Sequence, residues 1–181
     1  MERVRFFVGS FLSLCLLGAL SFAQANRVVH VCVTTMDGSA VGLSSAAARD
    51  KLVKNLSHVK DKKAQLSLQG TPLDAGTTEQ VLADAKQKNC DFVVQTNLTE
   101  SHEQGSMSGK ATIYAGAMQN VSEYSAAVEY NVLRVSDGTT VGSGVGKATD
   151  VGSAAEVTSQ ALDHVVTKAF ADIKKAAVPV S

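Results

Sequence analysis

The alternation of strand-like and helix-like segments in the first half of the chain constrains its fold more than any other feature. Residues 28–35 (VVHVCVTT) form a nearly continuous apolar run, which is typical of a central strand buried on both faces of a parallel sheet. Ser44 or Ser45 can cap the next helix, in which small and aliphatic residues recur at spacings of three and four. Residues 64–69 alternate and predict a half-buried strand at the sheet edge, ended by residues 70–72.

A second helix and a third strand complete this pattern. Thr77 and Gln80 have the spacing of a capping box, and Asn89 suits the left-handed position that ends a helix. Residues 91–96 (DFVVQT) then return to strand composition. The order β-α-β-α-β, with helical crossovers, favours parallel pairing of the three strands.

The second half of the chain has a different pattern. Residues 100–110 are polar, contain glycine and show no period, which predicts a mobile loop. Residues 111–118, 124–135 and 139–149 are strand-like, and the Asp-Gly pair at 137–138 predicts a hairpin between the last two.

A long helix completes the chain. Ser153 and Glu156 have the spacing of a capping box, and an apolar stripe then runs as far as Lys174 and Lys175, where we expect the helix to end. That stripe must be buried against one face of the sheet. The sequence therefore predicts an α/β fold with a mixed sheet, in which β-α-β-α-β is followed by an antiparallel meander and a long carboxyl-terminal helix.

Residues 1–25 have the composition of a secretory signal peptide. Two arginines precede an apolar run over residues 6–22 that is short for a membrane span, and the last three residues (AQA) have the small-x-small cleavage pattern. We expect cleavage after Ala25, which leaves residues 26–181 as a single α/β domain in the periplasm or outside the cell. An uncleaved anchor is the alternative; lipidation is disfavoured because a leucine precedes Cys15.

The exported part of the chain is close to neutral. The whole sequence has 17 basic and 17 acidic residues, and its first 25 residues include two of the former and one of the latter. We therefore expect no nucleic-acid partner and no strong membrane association after cleavage. Aromatic residues make up only 5% of the chain, which disfavours a groove that stacks sugars or bases.

Two cysteines, Cys32 and Cys90, remain after cleavage. Export places them in an oxidising compartment, in which disulfides persist. They allow one bridge; the other interpretation is two separate buried thiols, since cysteine is often buried in apolar strands. Neither cysteine has neighbours at the spacing of a zinc site.

The glycine-rich string VGSGVGK at residues 141–147 is similar to a phosphate loop but lacks its spacing. It has no glycine at the first position and no Ser or Thr after the lysine. Gly142, Gly144 and Gly146 alternate instead, so one face of a strand is left bare for the close approach of a neighbouring helix or strand.

No set of side chains in the sequence has the spacing of a catalytic or metal site. The four histidines are dispersed over different predicted elements, and His102 and Glu103 fall in the polar loop, where a solvated turn is the simpler interpretation. No nucleophile elbow occurs at a strand-to-helix turn. We therefore expect a protein that is not an enzyme and that holds no cofactor and no metal.

The carboxyl ends of the predicted parallel strands are the alternative place for function, because open α/β sheets bind ligands there. Thr34, Thr35 and Asp37 follow the first strand, and Thr96 and Asn97 follow the third. These five residues form the candidate ligand site.

Two strings carry a resemblance to a known family. They are VLADAKQKNCDFVVQTNLTE at residues 81–100 and AAVEYNVLRVSDGTTVGSGVGKAT at residues 126–149, followed by a covering helix. This arrangement is similar to the envelope family that includes CsgG, FlgO and the lipoprotein activators of penicillin-binding proteins, with the amino-terminal domain of TolB as a related fold. The resemblance implies a periplasmic α/β domain that binds other proteins. Residues 99–123 have no counterpart of the membrane-spanning hairpins of the secretion pore.

The function predicted from the sequence is that of an exported, non-catalytic envelope protein. We expect a protein-interaction or assembly domain of the periplasm, with another envelope protein as its partner. The alternative is a small-ligand-binding or hydrolytic periplasmic protein that uses the carboxyl ends of the parallel strands.

Overall fold

The computed structural model describes residues 27–38, 42–104, 113–114, 117–118 and 122–178. The signal segment and the start of the domain lie outside these ranges. The elements are β1 (Arg27–Val33), α1 (Ser45–His58), β2 (Lys60–Asp61), β3 (Leu66–Pro72), α2 (Thr78–Gln87), β4 (Phe92–Gln104), β5 (Ile113–Tyr114), β6 (Ala117–Met118), β7 (Glu123–Arg134), β8 (Thr140–Val151) and α3 (Ala154–Ala177).

Six of the strands form one mixed sheet in the order β2-β3-β1-β4-β7-β8. Strand β1 pairs in parallel with both β3 and β4, whereas β4, β7 and β8 form an antiparallel meander. Strands β5 and β6 form a separate two-residue ladder. The predicted α/β fold, with a parallel first half and an antiparallel second half, is confirmed.

Helices cover the two faces of the sheet unequally. Helices α1 and α3 pack on one face over the larger core, which includes Val31, Leu52, Val128 and Ile173, all fully buried. Helix α2 packs on the opposite face over a smaller cluster that includes Val81. Among the described elements, α2 lies mainly against β4 on this face, so no described helix lies over much of β7 and β8 there.

The helix boundaries follow from side-chain caps. Ser44 caps α1, and the predicted capping boxes at the starts of α2 and α3 are both formed. Asn89 has a φ of 55°, the left-handed conformation predicted for the end of α2. Helix α3 continues to Ala177, slightly beyond the predicted end at Lys174 and Lys175.

The predicted bare strip on β8 is confirmed. A Cβ atom at Gly146 would overlap the main-chain carbonyl oxygen of Ala161 in α3, and one at Gly142 would overlap the Asp172 side chain. Beside the strip, the Tyr130 hydroxyl donates to Asp172 Oδ2 at 2.9 Å. Burial and this hydrogen bond raise the pKa of Tyr130 to about 12.

The prediction that the second strand lies at the sheet edge is wrong, because β3 lies between β2 and β1; the strand also includes residues 70–72 and ends at Pro72 rather than before them. Strand β3 runs through Gly70, whose N–H donates to Ser57 Oγ and whose Cα lies so close to α1 that a Cβ would be 2.7 Å from the Val53 carbonyl oxygen. The glycine therefore allows a helix to approach rather than ending the strand. The edge position belongs to β2, where Lys174 of α3 hydrogen-bonds Asp61 and lowers the pKa of that carboxyl to about 2.

The predicted mobile loop at residues 100–110 is also wrong in its first part. Strand β4 continues through Gln104 and pairs with the first half of β7, with a bulge between Leu98 and Glu100. Its polar side chains suit a part of the sheet that the helices described above leave uncovered on one side. Residues 105–110 lie outside the described residues.

Candidate functional site

A disulfide joins Cys32 in β1 to Cys90, which lies in the short connection between α2 and β4. Both residues are buried, and the bridge lies in the cluster under α2. The sequence allows either a disulfide or two separate buried thiols, and the structure contains the disulfide. In the chain-entropy account, closing a loop of this sequence separation, 58 residues, stabilises the fold by about 4 kcal/mol.

The carboxyl end of β1 and the first half of β4 meet the start of α2 in a cleft of about 360 Å³. All five residues of the candidate ligand site line this cleft, together with the first turn of α2 and three residues that sequence reasoning missed. The predicted residues are Thr34, Thr35, Asp37, Thr96 and Asn97, and the missed ones are Gln95, Glu129 and Asn131.

Main-chain hydrogen bonds hold the floor of the cleft together. The Asp37 N–H donates to the Thr96 carbonyl at 3.0 Å, and the Leu98 N–H donates to the Asp37 carbonyl at 2.8 Å. These bonds continue the parallel pairing of β1 with β4 beyond the end of β1. Asp37 and Asn97 are therefore neighbours because of backbone pairing, although 60 positions separate them in the sequence.

Thr96 contributes main chain rather than side chain. It follows Phe92 and Val94 at the even spacing of a strand, and both of those side chains lie in the core under α1 and α3. Thr96 is 4% exposed, and its Oγ1 has no hydrogen-bond partner in the described part of the chain. Its hydroxyl is thus directed away from the cleft that its backbone lines.

Thr34 has the opposite orientation. It continues the row of Cys32, which lies under α2, so its side chain is on the side of the cleft. It is 4% exposed and lines the cleft. The fully buried side-chain oxygens without a hydrogen-bond partner in the described part of the chain belong to Gln65, Thr96 and Thr158, so the Thr34 hydroxyl is not one of them.

The electrostatics of the cleft are asymmetric. Asp37 and Glu129 are its charged lining residues, and no Lys, Arg or His is among the described residues that line it. The first turn of α2, at Thr77 and Thr78, forms the facing wall and presents the positive end of a helix. The cleft therefore combines a side favourable to cations with a side favourable to anions.

A second cavity of about 520 Å³ lies at the other end of the sheet and is lined by Arg27, Lys86, Asp91 and Arg134. Three of these groups already have structural partners. The Arg27 guanidinium donates to a carbonyl at the end of α3, Asp91 accepts from a main-chain N–H of β1, and Arg134 pairs with Asp137 at 3.3 Å. This cavity is therefore a weaker candidate than the cleft.

A hydrogen-bonded trio on the sheet was missed by the sequence analysis. Ser125 Oγ lies 3.3 Å from His102 Nε2 and 3.2 Å from Glu100 Oε1, and His102 Nδ1 lies 3.5 Å from the same carboxylate oxygen. The order resembles a nucleophile, base and carboxylate. Ser125 is buried, its hydroxyl also reaches the carboxylate directly, and the distances are long for charge-assisted bonds, so we interpret the trio as satisfying a buried hydroxyl.

Two further features bear on function. Among the described residues, no group of three or more His, Cys, Asp and Glu side chains is placed to hold a metal ion. None of the described helices is long and apolar enough to cross a membrane.

The fold defines a mixed α/β domain with helices on both faces. No protein-family model matches the chain, and no curated protein matches it. The hypothetical protein CT253 from Chlamydia trachomatis has the same fold, with a TM-score of 0.55 and 13% identity over 84% of this chain and 100% of that chain.

Two other solved structures are similar in part. The PelC dodecamer from Paraburkholderia phytofirmans gives a TM-score of 0.47 with 15% identity, over 84% of this chain and 89% of that one. TolB from Acinetobacter baumannii gives 0.46 with 11% identity, over 86% of this chain and 30% of TolB. A relation to CsgG in particular stays a prediction.

Proposed function

We propose that this chain is an exported, non-catalytic domain of the cell envelope that binds another envelope protein. The signal-like residues 1–25 support export, with residues 26–181 as the mature domain. The buried bridge between Cys32 and Cys90 supports the same conclusion, because such bridges persist in oxidising compartments.

The observation that carries the binding role is the part of the sheet that none of the described helices covers. We define the open face as the outward side of β4, β7 and β8 beyond α2. Its side chains include Asn97, Glu129, Ser143, Lys147 and Thr149, all of them exposed. They are polar, mixed in charge and set on rigid strands, as expected for a surface that binds a partner reversibly.

The outer edge of β8 is protected against non-specific pairing. His164 Nδ1 lies 2.6 Å from the Lys147 carbonyl oxygen, and Lys168 Nζ donates to the Val145 carbonyl at 2.6 Å. Side chains of α3 thus occupy carbonyl groups that another strand would otherwise use. A partner is therefore expected to bind the open face rather than extend the sheet.

Site-specific photocrosslinking in the native cell tests this function. A photoreactive residue at Ser143 on the open face is expected to give a discrete adduct with one envelope protein. The matched control is the same residue at Lys54, which is exposed on α1 on the other side of the sheet. Equal adducts from both positions, or none from Ser143, would contradict the proposal.

A second candidate function is the binding of a small ligand in the cleft. The observation that favours it is the convergence of Thr34, Thr35, Asp37, Thr96 and Asn97 around one cavity of about 360 Å³. Binding predicts saturable NMR shift changes of these amides when a ligand is added, and a full ligand screen without such changes would count against it.

A further inference from the structure

We propose that one end of this domain docks on the surface of an anionic lipid bilayer, an inference that goes beyond the proposed binding of another envelope protein. A total charge close to zero predicts no strong membrane association, but it gives no information on how the charges are distributed. In the structure, basic and acidic side chains lie at opposite ends of the sheet. This separation supports a weak, salt-sensitive attachment to anionic lipid.

We define the basic end as the end of the sheet at which β1, β3 and β4 begin and α2 and α3 finish. The Arg27 guanidinium donates to the Ala177 carbonyl there, which places the end of α3 beside the start of β1. Lysines suit this position because the carboxyl ends of helices are negative. The basic side chains of this end come from five elements and one turn, and they are Arg27, Lys60, Lys62, Lys63, Lys86, Arg134, Lys174 and Lys175.

Three carboxylates lie at the basic end, so its eight basic side chains leave an excess of five positive charges. Asp61 pairs with Lys174, and Asp137 pairs with Arg134. Asp91 accepts a hydrogen bond from a main-chain N–H of β1. The exposed lysines of this end that make no ion pair with another described residue are Lys60, Lys62, Lys63, Lys86 and Lys175. These side chains are therefore available to the phosphate groups of lipids.

The opposite end of the sheet is acidic. It is the end at which β1 and β3 finish and α2 and α3 begin, and Glu79 and Glu156 lie in the first turns of those helices. Its other carboxylates belong to Asp37, Asp74 and Glu123, and Arg49 pairs with Asp74. An anionic plane attracts the basic end and repels the acidic one, so the two ends together favour one orientation. The strands then run away from the bilayer, and the open face stays accessible beside it.

Exposed apolar side chains at the basic end favour a bilayer over a soluble polyanion. Val28, near the start of β1, is 48% exposed, and Val178, at the end of α3, is 38% exposed. Val178 also lines a surface depression with Ala171, Lys174 and Lys175. Basic residues around exposed apolar side chains are typical of proteins that bind the bilayer interface, because the lysines contact phosphates while the apolar groups contact the acyl boundary.

Co-sedimentation of the exported chain with lipid vesicles tests the proposal. One set of vesicles contains phosphatidylcholine alone, and the other contains equal parts of phosphatidylcholine and phosphatidylglycerol. We expect binding to the anionic set only. That binding should weaken at least about tenfold between about 0.1 M and about 1 M salt, since the Debye length falls from about 10 Å to about 3 Å. No binding to either set, equal binding to both, or binding that salt does not change would contradict the proposal.

Substitution of single lysines separates the basic end from an effect of net charge. Lys63→Gln is expected to weaken vesicle binding about fivefold, and Lys62→Gln in the same chain should raise the loss to about twentyfold. Both side chains are exposed in the turn before β3, so we expect folding to be unaffected. The matched control is Lys147→Gln, which removes an exposed lysine of the open face and should leave binding unchanged. Equal losses from Lys63→Gln and Lys147→Gln would overturn the basic end as the docking site.

Poly-glutamate distinguishes a bilayer from an acidic protein as the occupant of the basic end. The anionic vesicles should bind more tightly than poly-glutamate at the same concentration of negative charge, and Val178→Ser should reduce the binding of vesicles only. Binding of poly-glutamate as tight as that of the vesicles would assign this end to an acidic protein and overturn the proposal. Crosslinking from Ser143 reports on the open face and does not depend on either result.

Discussion

The packing of α3 on β8 gives the sharpest prediction about the fold, through the substitution Gly146→Ala. The added Cβ would overlap the Ala161 carbonyl oxygen and would lie 2.7 Å from Val165 Cγ2 and 3.0 Å from Val165 N. Two of these three atoms are main chain of a 24-residue helix. The helix must therefore move as a unit, because no side-chain rotation relieves the overlap.

The expected cost follows from this geometry. Overpacking in a core costs about 1–3 kcal/mol, and a main-chain obstacle places this case near the upper end. The gain of about 0.5–1 kcal/mol from replacing glycine within a strand offsets only part of it. We expect the free energy of unfolding to fall by about 2 kcal/mol, which lowers the Tm of a domain of this size by about 4–8 °C.

The matched control is Gly144→Ala on the same face of the same strand. The three atoms nearest to its Cβ would all belong to the Tyr130 side chain, the first being Cε1 at 3.0 Å. That ring can shift slightly, so the free energy of unfolding should change by less than about 1 kcal/mol. Thermal and urea unfolding followed by circular dichroism measure both variants. Equal stability of the two variants would refute the account of how α3 packs.

Three further predictions concern side-chain contacts. Folding raises the pKa of Tyr130 from 10.0 to about 12. The stability that its neutral hydroxyl contributes is therefore present below pH 10 and is lost as the pH rises toward 12. Tyr130→Phe should abolish that loss in unfolding curves measured between these pH values. Lys168→Ala removes one side chain that covers the outer edge of β8 and should increase self-association in sedimentation experiments; a sedimentation coefficient equal to that of the unmodified protein would show that this contact is dispensable. Ser125→Ala should leave hydrolysis of p-nitrophenyl acetate at the level of the unmodified protein, whereas loss of a measurable rate would make Ser125 a nucleophile.

The sequence predicted the fold well where local pattern and tertiary environment agree. The apolar run of β1, the caps at Ser44, Thr77 and Ser153, and the hairpin at 137–138 are each determined by residues close together in the chain. The glycine row on β8 was also readable, because alternation in a strand places all three glycines on one face.

Errors arose where a residue's role depends on a distant partner. Glycine is common at strand ends, so Gly70 was expected to end the strand. Its close approach to Val53 is visible only once α1 lies over β3. Glu100 to Glu103 read as a loop because their polar side chains suit the open side of a sheet as well as a turn. Lys60 and Asp61 form a strand too short to give any periodic signal.

The structure brings the residues of the candidate ligand site to one cleft, and their binding of a ligand stays a prediction. Thr34 and Asp37 follow β1 as expected, whereas Asn97 lies within β4, which continues to Gln104. Glu129 and Asn131 were missed because they reach the cleft through the register of β7 on β4, which pairs Asn97 with Glu129. Register is a property of two strands together and cannot be obtained from either one alone.

Export is the claim on which the location, the disulfide and the envelope partner all depend. Intact-mass spectrometry of the chain recovered from its native cells, before and after reduction, tests it most directly. The account predicts a chain that begins at Asn26 and gains the mass of two hydrogens when the Cys32 to Cys90 bridge is reduced. A chain that retains residues 1–25 would contradict it, and so would a chain whose mass stays the same after treatment with a reductant.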